Sequence, residues 1–259
     1  MPAERAPAIL LPPSEGKAPG GRGRPWRPGT GVLPELDGAR ATVLAALGDG
    51  VDGRPTRPAV ERYTGVLYRE LDWASLPAPA KALGSRTVLI ASGLWGVSAP
   101  RDPLPDYRLK MGASLPPLGR LSAWWRPRLT AALAGRLAGR VVWDLLPHEH
   151  AAAWLPGDVP ARRRVTVRFV DREGRTVSHW NKLLKGALVR HLLIERPAGP
   201  EDLAAWEHPS GYRVDPARCR LDGDPALLVL SEVPAPHAPA GGQSGSGTSK
   251  PTGSPQRLR

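Results

Sequence analysis

The sequence predicts a single α/β domain, a mixed sheet flanked by helices, and three observations carry that expectation. Short apolar runs end in loops of prolines, glycines and polar groups, as in "ILLPPSEGK", "TVLIASGLWG" and "VVWDLLPHEH", which is how buried strands read. Between them lie stretches with helical spacing, "LPELDGARATVLAAL" and "WWRPRLTAALAGRLAG". A chain of 259 residues with 41% hydrophobic content is long enough for one substantial core, and it contains no repeat of solenoid length.

The first seven residues are expected to be a flexible N-terminus, 8–233 the folded body, and 234–259 a disordered tail. That tail, "PAPHAPAGGQSGSGTSKPTGSPQRLR", has one aliphatic residue larger than alanine, too little apolar surface to offset the entropy of ordering it. The run Ile9 to Leu11 is far short of a signal segment, and no segment approaches the ~20 apolar residues needed to span a bilayer. A single cysteine, Cys219, excludes an internal disulfide and a cysteine-built zinc site. A cytoplasmic protein with no membrane association is expected.

The first strand empties into "LPPSEGK". A phosphate-binding Walker loop needs a glycine five residues before the Gly-Lys pair and Ser or Thr after it; here Gly16-Lys17 is followed by alanine and lacks the earlier glycine. What remains is a strand end that puts Ser14, Glu15 and Lys17 on a loop rim, either as ligand groups or as a solvated turn. The next long loop, "SGLWGVSAPRDPLPDYRLKMG" from Ser92 to Gly112, is some twenty residues without periodicity. Leu94, Trp95, Leu104, Tyr107, Leu109 and Met111 anchor it, so it is a binding wall presenting Tyr107 and Arg108, or a structural loop over the sheet edge.

Further along, "PHEHAAAW" sets His148, Glu149 and His150 together without the H-E-x-x-H spacing, and no metal site is expected. "VTVRFVDREGRTVSHW" alternates around Asp171 to Gly174 as a hairpin should. In "SHWNKLLKGALVRHLLI", a helix from Asn181 spreads its aliphatic residues over one arc, with His191 among them as a core histidine. Lys182, Lys185 and Gly186 stand opposite, with Arg190 at the edge. Cations around bare backbone suit an anion; the alternative is a solvated lysine face with an incidental glycine. The formal net charge of +12, three units of it in the tail, concentrates nucleic acid, nucleotides or phosphorylated metabolites without choosing among them. Arg218 and Arg220 beside Cys219 suggest a lowered thiol pKa, but one cysteine leaves a thiol peroxidase without a resolving partner.

Four segments, "LLPPSEGK", "RYTGVLYRELD", "SGLWGVSAPRDPLPDYRLKMG" and "SHWNKLLKG", resemble in order and approximate spacing the YaaA or UPF0246 family, the peroxide-stress-response proteins. The resemblance implies a cytosolic α/β protein with a basic cleft that binds DNA or another phosphate-bearing ligand and limits peroxide damage by controlling free iron. No cofactor is implied. It points to Ser14, Lys17, Tyr63, Thr64, Gly65, Ser92, Trp95, Asp102, Tyr107, Arg108, His179, Lys182, Lys185 and Gly186 as the cleft set. One departure concerns Gly48 to Glu61, "GDGVDGRPTRPAVE", where family members usually carry a helix-hairpin-helix; two prolines and the short interval leave no room for it, which puts duplex DNA binding in doubt. Two functions stay open: a noncatalytic nucleic-acid-binding stress factor, and an enzyme acting on a nucleotide-like or phosphorylated small molecule.

Overall fold

Ala8–Leu11 (β1), apolar and buried at all four positions, lies inside a sheet of eight strands rather than at its edge. The computed structural model describes residues 5–48 and 50–233, the side chains of residues 178 and 179 excepted; the expected tail at 234–259 and residues 1–4 lie outside the described residues. After β1 the chain forms α1 (Asp37–Leu47), β2 (Thr56–Pro58), α2 (Ala59–Arg62), α3 (Val66–Leu71), α4 (Ala78–Thr87), β3 (Val88–Ser92), β4 (Gly96–Ser98), β5 (Pro103–Pro105), β6 (Ser114–Leu115) and β7 (Gly119–Arg120). It continues through α5 (Leu121–Leu137), β8 (Val141–Asp144), α6 (His148–Ala151), β9 (Arg163–Val170), α7 (Ser178–Glu195), β10 (Glu207–His208), β11 (Tyr212–Val214) and β12 (Ala226–Glu232).

The sheet order is β10-β11-β12-β9-β8-β1-β3-β4. Its five central strands run parallel, and β4 at one end and β10 and β11 at the other are antiparallel. Strands covered on both faces carry continuous apolar runs, which is why "AILL", "VLIAS" and "VVWD" do not alternate. From β1 the chain moves outward to β3, then returns to β8 on the other side of β1 and winds the opposite way through β9 to β12. The winding therefore reverses between β1 and β8. In open α/β sheets such a reversal leaves a crevice outside the carboxyl ends of the strands, and here those ends deliver "PPSEGK" and "LLPHEH".

On one face α7 packs against α3 and α4. Two glycines set the approach: a Cβ on Gly186 would lie 2.3 Å from the Leu67 carbonyl oxygen, and one on Gly84 would lie 2.7 Å from the Trp73 ring and 3.2 Å from Leu193. Two fully buried arginines bind the loops to the core. Arg40 donates to the carbonyls of Val32, Leu33, Trp95 and Val97 and to Asp37 Oδ1 at 2.7 Å. Arg62 donates to the carbonyls of Leu104 at 3.0 Å, Gly20 at 2.7 Å and Ala18, so it clamps the segment that follows β1.

Several local expectations are corrected. The hairpin around Asp171 to Gly174 makes its turn, but the return arm forms one bridge, Val170 to Thr176, before α7 begins. β8 covers its edge of β9 only as far as Thr166, and the return arm uses the stretch beyond it briefly before the chain enters α7 at Ser178. The stretch from Ser92 to Gly112 contains β4, paired to β3, and β5, paired to β2. The last helix starts at Ser178 rather than Asn181. Between Gly48 and Glu61 the described residues form a 3-10 turn, β2 and the start of α2, with no helix pair.

Candidate functional site

"LPPSEGK" leaves β1 and is fastened to "RYTG". Ser14 Oγ accepts the amides of Thr64 and Gly65, each at 3.1 Å, and donates to the Gly16 carbonyl. A Cβ on Gly65 would sit 2.6 Å from the Ser14 Cβ, so this contact requires glycine. Backbone bonds from Thr64 to Gly16 and from Ala18 to Arg62 pair Lys17 with Tyr63.

The half-buried Lys17 side chain is directed by that pairing onto two aromatic rings. Its ammonium lies 4.5 Å from the centre of the Tyr107 ring and 5.7 Å from that of Tyr63, and it donates to the Ser14 carbonyl at 3.2 Å. Below it runs a buried chain of hydroxyls: Tyr63 to Tyr107 at 2.7 Å, Tyr107 to Ser92 at 2.7 Å, and Ser92 Oγ accepting the Trp95 amide at 3.0 Å. Burial raises both tyrosine pKa values, keeping the phenols neutral. Burial lowers that of Lys17; Asp106 and Glu15 oppose this, while Arg108 and Arg62 add to it. The ammonium is thus an under-neutralised cation on a neutral aromatic floor.

Further lysines stand at the rim. Lys110 pairs with Glu15 at 2.8 Å, both largely exposed, a contact of small energetic value. The carboxyl of Glu15 is held below its ordinary range first by Lys110 and then by the charges of Lys182 and Lys17, so three lysines share one carboxylate. Lys182, exposed on α7, is followed one turn later by Lys185, which reaches the end of β8 and donates to the Leu145 carbonyl at 2.7 Å. Buried Asp144, the last residue of β8, accepts the Leu146 amide at 3.1 Å, lies 3.5 Å from Arg164 Nε, and is pushed upward by burial. The face of α7 therefore links the rims of β1 and β8.

Burial brings Lys185 down to about 8, with Asp144 partly opposing the shift. Between about 8 and the ordinary lysine value of 10.5 the unfolded chain holds a proton that the folded chain has released, so this group makes stability rise with pH across that window. Lys185→Met is expected to flatten that rise, read from urea midpoints at several pH values against wild type. Parallel curves for the two proteins would contradict the assignment.

The sequence-selected residues divide into groups. Ser14, Lys17, Tyr63, Thr64, Gly65, Ser92 and Tyr107 form one bonded cluster; Arg108 acts on Lys17 and Lys182 on Glu15 through charge, while Lys185, one helical turn on, is bound to the end of β8. Trp95 and Asp102 belong elsewhere. Asp102 accepts the amides of Val32 and Ala99 at 2.9 Å beside Arg40, and the buried Trp95 ring meets Trp26 edge-on at 5.2 Å. Gly186 faces α3, and the Leu67 carbonyl fills the bare backbone that an anion was expected to use. The side chain of His179 lies outside the described residues.

Arg62 and Asp144 were not singled out. A charged residue closing the apolar run "VVWD" was a usable signal for Asp144, whereas nothing in "RYTG" marks its arginine as a carbonyl clamp. The Cys219 thiol is raised, not lowered, because it is partly buried and near Asp215, which engages Arg218 at 2.6 Å. Among the described residues no three His, Cys, Asp or Glu side chains are grouped to hold a metal ion, and no helix is long and apolar enough to cross a membrane. A hollow of about 590 Å³ lined by residues of α1 and α5, including Thr42, Trp124 and Arg128, contains none of these lysines.

Comparison with known proteins adds a family. The model of the family described as peroxide stress protein YaaA matches residues 36–218. A UPF0246 protein of Streptomyces coelicolor is 40% identical over 250 aligned positions, covering 85% of this chain and 96% of that protein. A UPF0246 protein of Corynebacterium glutamicum is 34% identical over 239 positions, 80% of this chain and 94% of the relative. One from Methylibium petroleiphilum is 33% identical over 206 positions, covering 75% and 79%. The Streptomyces alignment has more positions than 85% of 259 residues can fill, so that relative carries internal residues with no counterpart here.

Proposed function

The chain belongs to the peroxide stress protein YaaA family, and on that premise we propose that it acts in the cytoplasm during hydrogen peroxide stress, limiting damage by lowering free iron, through a phosphate-bearing ligand held at the crevice between β1 and β8. The observation behind the ligand is Lys17, an ammonium desolvated over two neutral tyrosine rings beside a rim of further lysines. An incoming anion would add to the countercharge that Glu15 divides among three lysines and that Asp106 supplies to Lys17. The iron-lowering role rests on the family resemblance, and free iron measured in peroxide-treated cells is its separate test.

Lys17→Ala should keep the wild-type thermal melt, because a loop lysine contributes little packing, and should weaken binding of inorganic pyrophosphate about 10-fold to 100-fold, as expected for one charge-assisted hydrogen bond. Full binding and full rescue of a peroxide-sensitive cell by this variant would remove the basis of the proposal. If the ligand is DNA, counterion release makes affinity fall steeply with salt and vary little with sequence. Duplex and single-stranded arms of the titration then separate that case from a small molecule.

One observation favours a second reading, an enzyme acting on a nucleotide-like small molecule. Lys185, near 8 and beside Asp144, has the affinity for protons that acid–base work at neutral pH uses. Mass spectrometry of small molecules released from purified protein tests it.

A further inference from the structure

Away from the lysine rim, β2 and β5 contribute to a hollow of about 480 Å³ lined in part by Arg22, Arg57, Arg101, Glu61, Pro58 and Pro103. Elsewhere many guanidinium groups are occupied: Arg40 and Arg62 by carbonyls, Arg163 by Glu201, Arg218 by Asp215. Here Arg57 is tethered through Nε to the Pro19 carbonyl at 3.1 Å, while Arg22 and Arg101 are exposed and have no hydrogen-bond or ion-pair partner among the described residues. Three cations thus share a hollow with one carboxylate.

The frame behind them is fixed. Gly23 and Thr56 exchange backbone hydrogen bonds at 3.0 and 3.1 Å, and Thr56 Oγ1 donates to the Arg24 carbonyl at 2.8 Å. A Cβ on Gly21 would lie 2.4 Å from the Thr56 carbonyl oxygen, so the strip bearing Arg22 is pressed onto β2. Pro58 stands opposite Pro103 across the ribbon, and both have restricted φ. Little ordering of the backbone is needed to use this site.

We propose that the hollow is a second binding site, separate from the lysine crevice, for a phosphomonoester carried on a hydroxylated small molecule. Guanidinium forks match the paired oxygens of a phosphate, and three of them around one dianion remove their mutual repulsion. The Glu61 carboxylate is an acceptor only, so it would bond a hydroxyl of the same ligand while repelling a second phosphate. The flat proline surfaces suit the carbon frame between these two ends, and the volume falls in the range of small-molecule sites.

Calorimetric titration with ribose 5-phosphate, inorganic phosphate and ribose tests the site in wild type, in Lys17→Ala, and in the exposed double variant Arg22→Gln/Arg101→Gln. Saturable binding of ribose 5-phosphate that survives Lys17→Ala and weakens at least tenfold in the arginine variant is the expected result. Glu61→Gln should bring ribose 5-phosphate toward the affinity of phosphate alone. Absence of saturable binding to wild type, or binding lost with Lys17 and kept without the two arginines, would overturn the site.

Discussion

Arg62→Met is expected to destabilise the fold by about 3 kcal/mol or more, read as a lowered urea midpoint with an unchanged slope. The methionine occupies similar space, so lost packing is small. What it leaves are the carbonyl of buried Leu104 and those of half-buried Ala18 and exposed Gly20, each deprived of a donor. An unsatisfied buried polar group costs about 1–3 kcal/mol, which the Leu104 carbonyl incurs, and release of the segment after β1 adds to it. One effect runs the other way: burial lowers the Arg62 pKa, so removing the charge also removes a desolvation cost. The orphaned carbonyls, that of Leu104 above all, outweigh the desolvation of this one buried charge. A change below about 1 kcal/mol would show that water satisfies these carbonyls and that the clamp is dispensable.

Gly186→Val is expected to be comparably severe, for a steric reason. Replacing a helical glycine by alanine ordinarily gains up to about 1 kcal/mol of helix propensity. Here the added Cβ would meet the Leu67 carbonyl oxygen at 2.3 Å and the Glu70 Cβ at 2.8 Å, and the first of these is backbone that no rotamer change moves. Separating α3 from α7 costs about 1–3 kcal/mol by the usual measure of overpacking, more for valine than for alanine. Gly135→Ala is the control, since nothing lies within 4 Å of its Cβ position in α5 and only the propensity gain should remain. Equal effects at the two positions would mean that α3 and α7 are not in close contact.

The difference between these two glycines explains where sequence reasoning succeeded. Apolar runs bounded by proline and glycine identify the central strands because both of their faces are covered, a property local to each run. The cluster around Lys17 was legible as a set of short motifs at strand ends, since a parallel sheet collects those ends on one side. Which side of the Ser92 to Gly112 segment faces the lysine was not legible: Tyr107 and Ser92 meet it, whereas Trp95 and Asp102 turn toward Arg40. Gly186 was misread because a bare stretch of helix invites either an anion or another helix, and only the position of α3 decides between them. The hairpin is cut short because α7 begins at Ser178, two residues after the Thr176 bridge, a boundary that alternation in the sequence did not mark.

The reversal of winding at β1 also imposes an order on the protein's assembly. β1 is synthesised before both of its neighbours, so Ile9 must wait for Val88 to cover one edge and for Trp143 to cover the other. Through that interval an apolar segment with two open edges has only local contacts, the circumstance in which nascent chains draw on chaperones. Lys17 is made well before Lys182 and Lys185, so a nascent chain halted between β1 and α7 bears the loop without the lysines of α7. If the crevice holds the proposed ligand, its two sides come together only in a nearly finished polypeptide.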